Sequence, residues 1–437
     1  MERFTAASWP SQAEEVWRYS RIDDLDLERF HPPGHGEAPD STTGSLPAPL
    51  EAILSGVGER SGLVLAVNGR LIHSELHPDL VRQEVMVGSL ASGSLTSGPT
   101  PVGPAAGPDS TGSFDDVEAP DALGELGEAF CSDPVMISVP DGVEVASPVV
   151  LLNWVTGPGV AVFPRTVIEL GSSAQADVIE YSASSEDECL VAPAIHMSLG
   201  PMARLGLVSV QDLGPRSWQI AHQSSRVGSG AQLATFAAAF GGYYARVRTD
   251  SHLEGQGASS RLMAAFFGNG DQMHDFRTMQ AHDAPRTTSD LLFKGAVKDS
   301  AQSVYTGLIR VQKGARGTNA FQTNKNLVLS EGAHADSVPN LDIAENDVRC
   351  SHASTVGPID QDQRYYLQSR GVPPDAADRL IVQGFFDDIL AQLPQPALAG
   401  GLRRAVSAKL TALAHAPDGS EATSSAAALS GEVNANG

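Results

Sequence analysis

Cys350 and His352 stand two positions apart in the stretch DVRCSHAS, residues 347 to 354, of a chain with only three cysteines. A thiolate and an imidazole can both bind zinc or iron. In an extended strand the two side chains share a face. Val348 has the same parity, so the triplet would equally line a packed strand wall. A second polar cluster, MHDFRTMQAHDAPRTTSD, supplies His274, Asp275, His282, Asp283 and Asp290. If folding brought the clusters together, they would make a metal site or a cysteine-dependent hydrolase using His274, His282, Cys350 and His352. The spacing matches no standard metal motif, and neither a third orienting group nor an oxyanion site can be picked out. No phosphate-cradling P-loop, nucleophile elbow or H-E-x-x-H helix occurs. No nucleotide-binding or catalytic residues are therefore assigned.

The elements that would position these residues read as mainly β. From DPVMISV onward, short apolar or alternating runs recur, among them VMISV, ARLGLVSVQDL, SRLMAAFFGNG, SVYTGLIRVQ and DVRCSH. Most end at Gly, Asp, Asn or Ser, and no regular helical pattern separates them, which leaves a sandwich, a barrel or a solenoid. The segment SQAEEVWRYSRIDDLDLERF predicts a short helix, and Asn68-Gly69 between two apolar runs predicts a hairpin. After Pro373-Pro374, the residues Ile381, Phe385, Ile389 and Leu393 recur every four positions, with Phe386 and Leu390 beside them. That is an amphipathic helix with a wide apolar stripe, and AGGLRRAVSAKLTALAHA predicts another. The expected organisation is a mixed or helical region over 1–130 with flexible linkers, a β core over 131–370, helices over 371–416 and a disordered tail over 417–437.

The 437 residues carry a net charge of -23. Such a surface repels phosphate backbones, so nucleic acid is not an expected partner. Scattered cysteines without a CxxC, and a start with no basic-then-apolar leader, predict a cytoplasmic protein. The stretch VVLLNWVTGPGVAVF is broken by Asn153, Gly157, Pro158 and Gly159 and is too short to span a bilayer, so no membrane association is expected.

Residues 304 to 372 carry a resemblance. The patterns G.I.V...A..T.A.Q.N..L.LS..A...S.P.L.I, DV.CSH..TVG and YYL.SRG resemble the core of the SufB/SufD family, the scaffold subunits of iron–sulfur cluster assembly. HDFRTMQAHDAPRTTSDLLFKGAVKDSA and EEVWRYSRIDDLDL are similar to the family as well. The resemblance implies a right-handed parallel β-helix core with a small N-terminal mixed domain and a C-terminal helical domain. It also implies a complex in which a B-type and a D-type subunit pair through their β-helices and each docks a SufC-like ATPase through its C-terminal region. B-type members carry a cysteine in a TQC segment and a glutamate in a HEAT motif; here Asn324 and Ala353 stand at those places. The D-type pattern fits better, and Cys350 and His352 match the D-side residues that face the shared assembly site.

These likenesses imply a non-catalytic scaffold. The chain alone would hold no permanent cofactor, iron or a transient iron–sulfur cluster would be the cargo of the complex, and Ile381, Phe385, Phe386, Ile389 and Leu393 would lie at or beside the ATPase-docking surface. The alternatives are the hydrolase above and a structural β-solenoid homodimer.

Overall fold

Short apolar segments punctuated by turn residues can bury both faces only by stacking on one another, and the chain does so in a computed structural model that describes residues 9–34, 46–89 and 121–411. From about residue 204, successive strands alternate between two sheets, and each strand pairs in parallel with the one a full turn earlier. Arg204 lies beside Gln232, Gln232 beside Ser259, Ser259 beside Thr288 and Thr288 beside Asn319, offsets of 28, 27, 29 and 31 residues. The result is a parallel β-solenoid of about 8 turns, with a ten-stranded and an eleven-stranded sheet. The expected mainly β solenoid is therefore present. The drifting offset explains why no clean repeat is readable along the chain.

Turns must stack as closely as strands do. A Cβ at Gly241 would run into the Leu213 carbonyl oxygen of the preceding turn, so the Gly241-Gly242 corner between Gln232–Ala239 and Tyr244–Leu253 requires glycine. The segment AAAFGGYYARVRTD is thus two strands in different sheets.

The sheets run across residue 130, where a domain boundary was expected. Gly62–Val67 and Arg70–Leu76 form the hairpin foreseen at Asn68-Gly69, both of which have positive φ. Gly62–Val67 then pairs in parallel with Val149–Val155, extending the ten-stranded sheet. Met86–Ser89 closes the other sheet by pairing antiparallel with Val135–Val139. The Ser74 hydroxyl donates to the Val87 carbonyl at 3.2 Å, tying the two terminal strands together.

The N-terminal segment, expected to hold a short helix, forms three separate 3-10 turns, Glu15–Trp17, Ile22–Asp24 and Leu27–Arg29. Its conformation is imposed by the outer face of the eleven-stranded sheet. Arg246 stacks on the Trp17 ring at 3.7 Å and donates to the Val16 carbonyl at 2.6 Å. Arg277 donates to the Arg18 carbonyl at 2.6 Å. Both arginines bind Asp275, at 2.7 and 2.6 Å. Burial would raise that carboxyl's pKa, but Arg246 and Arg277 hold it below the usual range.

Among the described residues three α-helices follow the last strand: Gln361–Ser369, Pro374–Leu390 and Ala399–Thr411. The helical part thus begins ten residues before the expected boundary at 371. The second helix lies against the ten-stranded sheet. Phe386 stacks on Phe267, with ring centroids 6.1 Å apart, and Lys294 reaches the Asp388 carboxylate at 2.5 Å. The flexible insert expected around 90–116 and the tail from 417 lie outside the described residues, as does most of the linker read at 31–49.

Candidate functional site at the bare end of the solenoid

The last turn has one neighbour in each sheet. Among the described residues, Val348–Gly357 pairs only with Thr318–Val328, and His334–Ile343 only with Gln302–Val311. Each strand thus presents an edge of backbone donors and acceptors without strand partners, a template for a further strand.

Cys350 and His352 both lie on Val348–Gly357. By register, Cys350, His352, Ser354 and Val356 follow Ala320, Gln322, Asn324 and Asn326, whose side chains are buried in the solenoid. The same face continues outward but has no next turn above it. Cys350 packs with Val348 against Ile309, Val311, Ala315 and Ala320 and is half-buried, whereas His352 is exposed. Burial pushes the Cys350 thiol above its ordinary value, so it is held as a weak-donor thiol. The shared-face reading of the pair is correct. Strand-wall packing and exposure divide between the two residues, the wall taking Cys350 and solvent taking His352.

The floor beneath them is polar. Asn324 donates to the Ser337 hydroxyl at 2.8 Å, but its Oδ1, the Nε2 of Gln322 and both side-chain polar atoms of Asn326 have no protein partner. Around this floor the end is apolar. Leu341, Ile343 and Val356 are each more than a third exposed. Beyond it, Tyr365 and Tyr366 are 74% and 58% exposed on a helix with no buried residue. Sequence reasoning passed over both groups. The YYL motif held the tyrosines, and period-two alternation through NLDI would have placed Leu341 and Ile343 on one face.

The second polar cluster does not join this site. His274 and His282 stand at opposite ends of the same buried strand, Met273–His282, about 26 Å apart at the usual rise of an extended chain. His282 is enclosed, with Nδ1 2.8 Å from the Thr287 hydroxyl and Nε2 2.9 Å from that of Ser289. These two histidines cannot share one ion. Among the described residues no three His, Cys, Asp or Glu side chains converge as a metal site. The hydrolase arrangement of His274, His282, Cys350 and His352 is not assembled by this fold.

The helical stripe faces mostly inward. Phe386, Ile389 and Leu393 are buried with Val150, Phe236 and Phe267 in the core under the helices, while Ile381 and Phe385 are half-buried. The stripe expected at a partner surface chiefly fastens the helix to the sheet. The outward side of this helix offers Leu380, Gly384 and Asp387. No described helix is long and apolar enough to cross a membrane.

Comparison with known proteins places this architecture. Residues 153–385 match the family model described as SUF system FeS cluster assembly, SufBD core domain. The chain is 30% identical over 293 residues to an iron–sulfur cluster assembly SufBD family protein of Mycobacterium tuberculosis, covering 65% of this chain and 73% of that one. It is 29% identical over 290 residues to the iron–sulfur cluster assembly protein SufD of Escherichia coli, 65% of this chain and 68% of that one. Against SufD of Bacillus subtilis it is 38% identical over 144 residues, a third of each chain. With the core model spanning more than half of its length, and a parallel solenoid carrying the matched segment, the chain belongs to the SufBD family of iron–sulfur cluster assembly proteins.

Proposed function

We propose that this chain is a D-type, non-catalytic scaffold subunit of an ATP-driven iron–sulfur cluster assembly complex. It pairs with a SufB-like subunit through the bare end of its solenoid and docks a SufC-like ATPase through its C-terminal helices. The observation that carries this reading is the uncovered last turn, where two strand edges, an apolar rim and the Cys350–His352 face meet. Relatives named SufD support the D-type assignment, as does Asn324 at the place of the B-type cysteine.

The donor set supports a shared site over a private one. His352 offers an exposed imidazole, and Cys350 offers a thiol whose proton must be displaced before it can ligate. Two donors leave a four-coordinate iron incomplete, and the B-type subunit would bring the remaining ligands across the interface. Iron or a nascent cluster is the cargo in this reading. The chain works in the cytoplasm, where thiols stay reduced.

Co-expression with a SufB-like subunit and the ATPase tests the assignment. A stable ternary complex is expected. His352→Ala should leave subunit stoichiometry unchanged while reducing retained iron by about 10-fold or more, the scale of losing a metal-site group. A chain that purifies alone, or only as a homodimer, in the presence of both partners would overturn the scaffold reading. Normal iron loading and cluster delivery in His352→Ala would remove His352 from the site.

A further inference from the structure

A cavity of about 30 Å³ lies between the two sheets, well away from the bare end. One wall comes from the ten-stranded sheet, where Glu180 stands beside Ser209 and Ser182 beside Gln211. The other comes from the eleven-stranded sheet, with Ile195, Gln219, Ala221 and Gln223. Three alanines, Ala221, Ala237 and Ala239, leave the room. Larger apolar side chains at these positions would close it.

The lining is mostly apolar, but polar side chains interrupt it and their bonds are incomplete. Gln211 accepts from the Gly241 amide at 2.9 Å through Oε1, but its Nε2 has no protein partner. Gln219 Oε1 also lacks one. Gln223 spends its amide on the Ser209 hydroxyl at 3.2 Å. Gln211, Gln219 and Glu180 are all more than nine-tenths buried. A buried amide atom left unpaired is destabilising, so two such atoms on residues lining one cavity call for a ligand that both donates and accepts.

We propose that this cavity is an internal hydration site holding two ordered water molecules, which bridge Gln211 Nε2, Gln219 Oε1 and the Glu180 carboxyl. The size fits, since a water needs roughly 10–15 Å³ of such space and two to four polar partners. A cation fits less well, because the unpaired Nε2 of the lining residue Gln211 is a donor and cannot ligate it. Burial also pushes the Glu180 carboxyl up to about 7, and in its neutral form it both donates to water and accepts from it.

A high-resolution crystal structure of the full chain tests this directly. Two density peaks are expected at hydrogen-bonding distance from Glu180, Gln211 and Gln219. A dry cavity, or density for a species other than water, would overturn the proposal. Thermal unfolding of Gln219→Leu is the second test. A hydrated site predicts a lower Tm, because the leucine displaces bridging water and strands the groups opposite. A higher Tm would indicate relief of a dry, unpaired amide and would overturn the proposal. The crystallographic arm uses the unaltered protein and stands even if the variant does not fold.

Discussion

Lys409 Nζ donates to Asn269 Oδ1 over 2.6 Å and to Gln272 Oε1 over 2.5 Å, so a nearly waterless lysine pins the last described helix to the solenoid. Gln272 is held in turn by the carbonyls of Phe240 and Gly242. The charged groups facing this ammonium are Asp212, whose carboxylate favours its charge, and His274, which titrates near 3 and is neutral at ordinary pH.

Burial pushes Lys409 down to about 7, against 10.5 for a free lysine. Between these values the unfolded chain binds one more proton than the folded one, so stability rises with pH across that window. The contribution is up to about 1.4 kcal/mol per pH unit. Urea unfolding at a series of pH values from neutral to mildly alkaline should show the rise. Lys409→Met should flatten it, and an unchanged slope in that variant would assign the dependence elsewhere.

Arg246→Met is expected to free the N-terminal segment. It leaves the Asp275 carboxylate buried with one arginine instead of two and removes the stacking on Trp17. Breaking a buried pair from one side costs ~3–5 kcal/mol. Limited proteolysis should then cut within residues 15–31 before the solenoid unfolds. Uncut chain under conditions that spare the wild type would show that Arg277 suffices.

Phe386→Ala should cost ~3–5 kcal/mol, as expected for a buried aromatic, and loosen the C-terminal helices, because its ring stacks on Phe267 beneath them. Hydrogen exchange should quicken over 374–390 and leave Met273–His282 protected. Loss of ATPase association in this variant would follow from displaced helices, so the proposed docking surface is better probed at exposed Leu380 and Asp387.

Ile343→Asp and Val356→Asp place charge on the exposed rim of the last turn. Each should leave Tm within a degree or so, as exposed substitutions do, yet weaken pairing with a SufB-like subunit by about 10-fold or more if that rim is the interface core. Unaltered association measured by calorimetry or sedimentation would move the contact elsewhere.

Thiol labelling reads the cysteines separately. Cys189 is buried with its thiol 3.2 Å from the Ser217 hydroxyl, and burial pushes Cys131 up to about 11. At neutral pH all three thiols should alkylate slowly. Cys350 should react ahead of Cys189, and Cys189 only on unfolding. Mass spectrometry of timed samples checks the order.

The parallel strands were legible where apolar residues alternate or run on unbroken, as in ARLGLVSVQDL and SRLMAAFFGNG. They were hidden where a strand's polar residues are satisfied by burial partners. MHDFRTMQAH reads as a reactive cluster because it holds Asp275, Arg277 and two histidines, yet it is a buried strand in which Asp275 pairs with Arg277 and with Arg246, and Arg277 donates on to a backbone carbonyl of the N-terminal segment. The same segment could not be read as 3-10 turns, because Arg246 and Arg277, more than two hundred residues away, dictate its path. For the candidate site, spacing alone put Cys350 and His352 on one face. Whether that face was covered depended on the absence of a further turn, which local pattern does not encode.

The two ends of the stack differ. At one, antiparallel strands Arg70–Leu76 and Met86–Ser89 are bonded to each other across the sheets; at the other, Val348–Gly357 and His334–Ile343 have no further strand beside them among the described residues. A stack whose described strands are tied across at one end and open at the other behaves like a monofunctional monomer in a polymerisation. Joining two such chains by their bare ends would use up the open parallel edges, and assembly would stop at a pair where a solenoid open in this way at both ends would run on into a fibre.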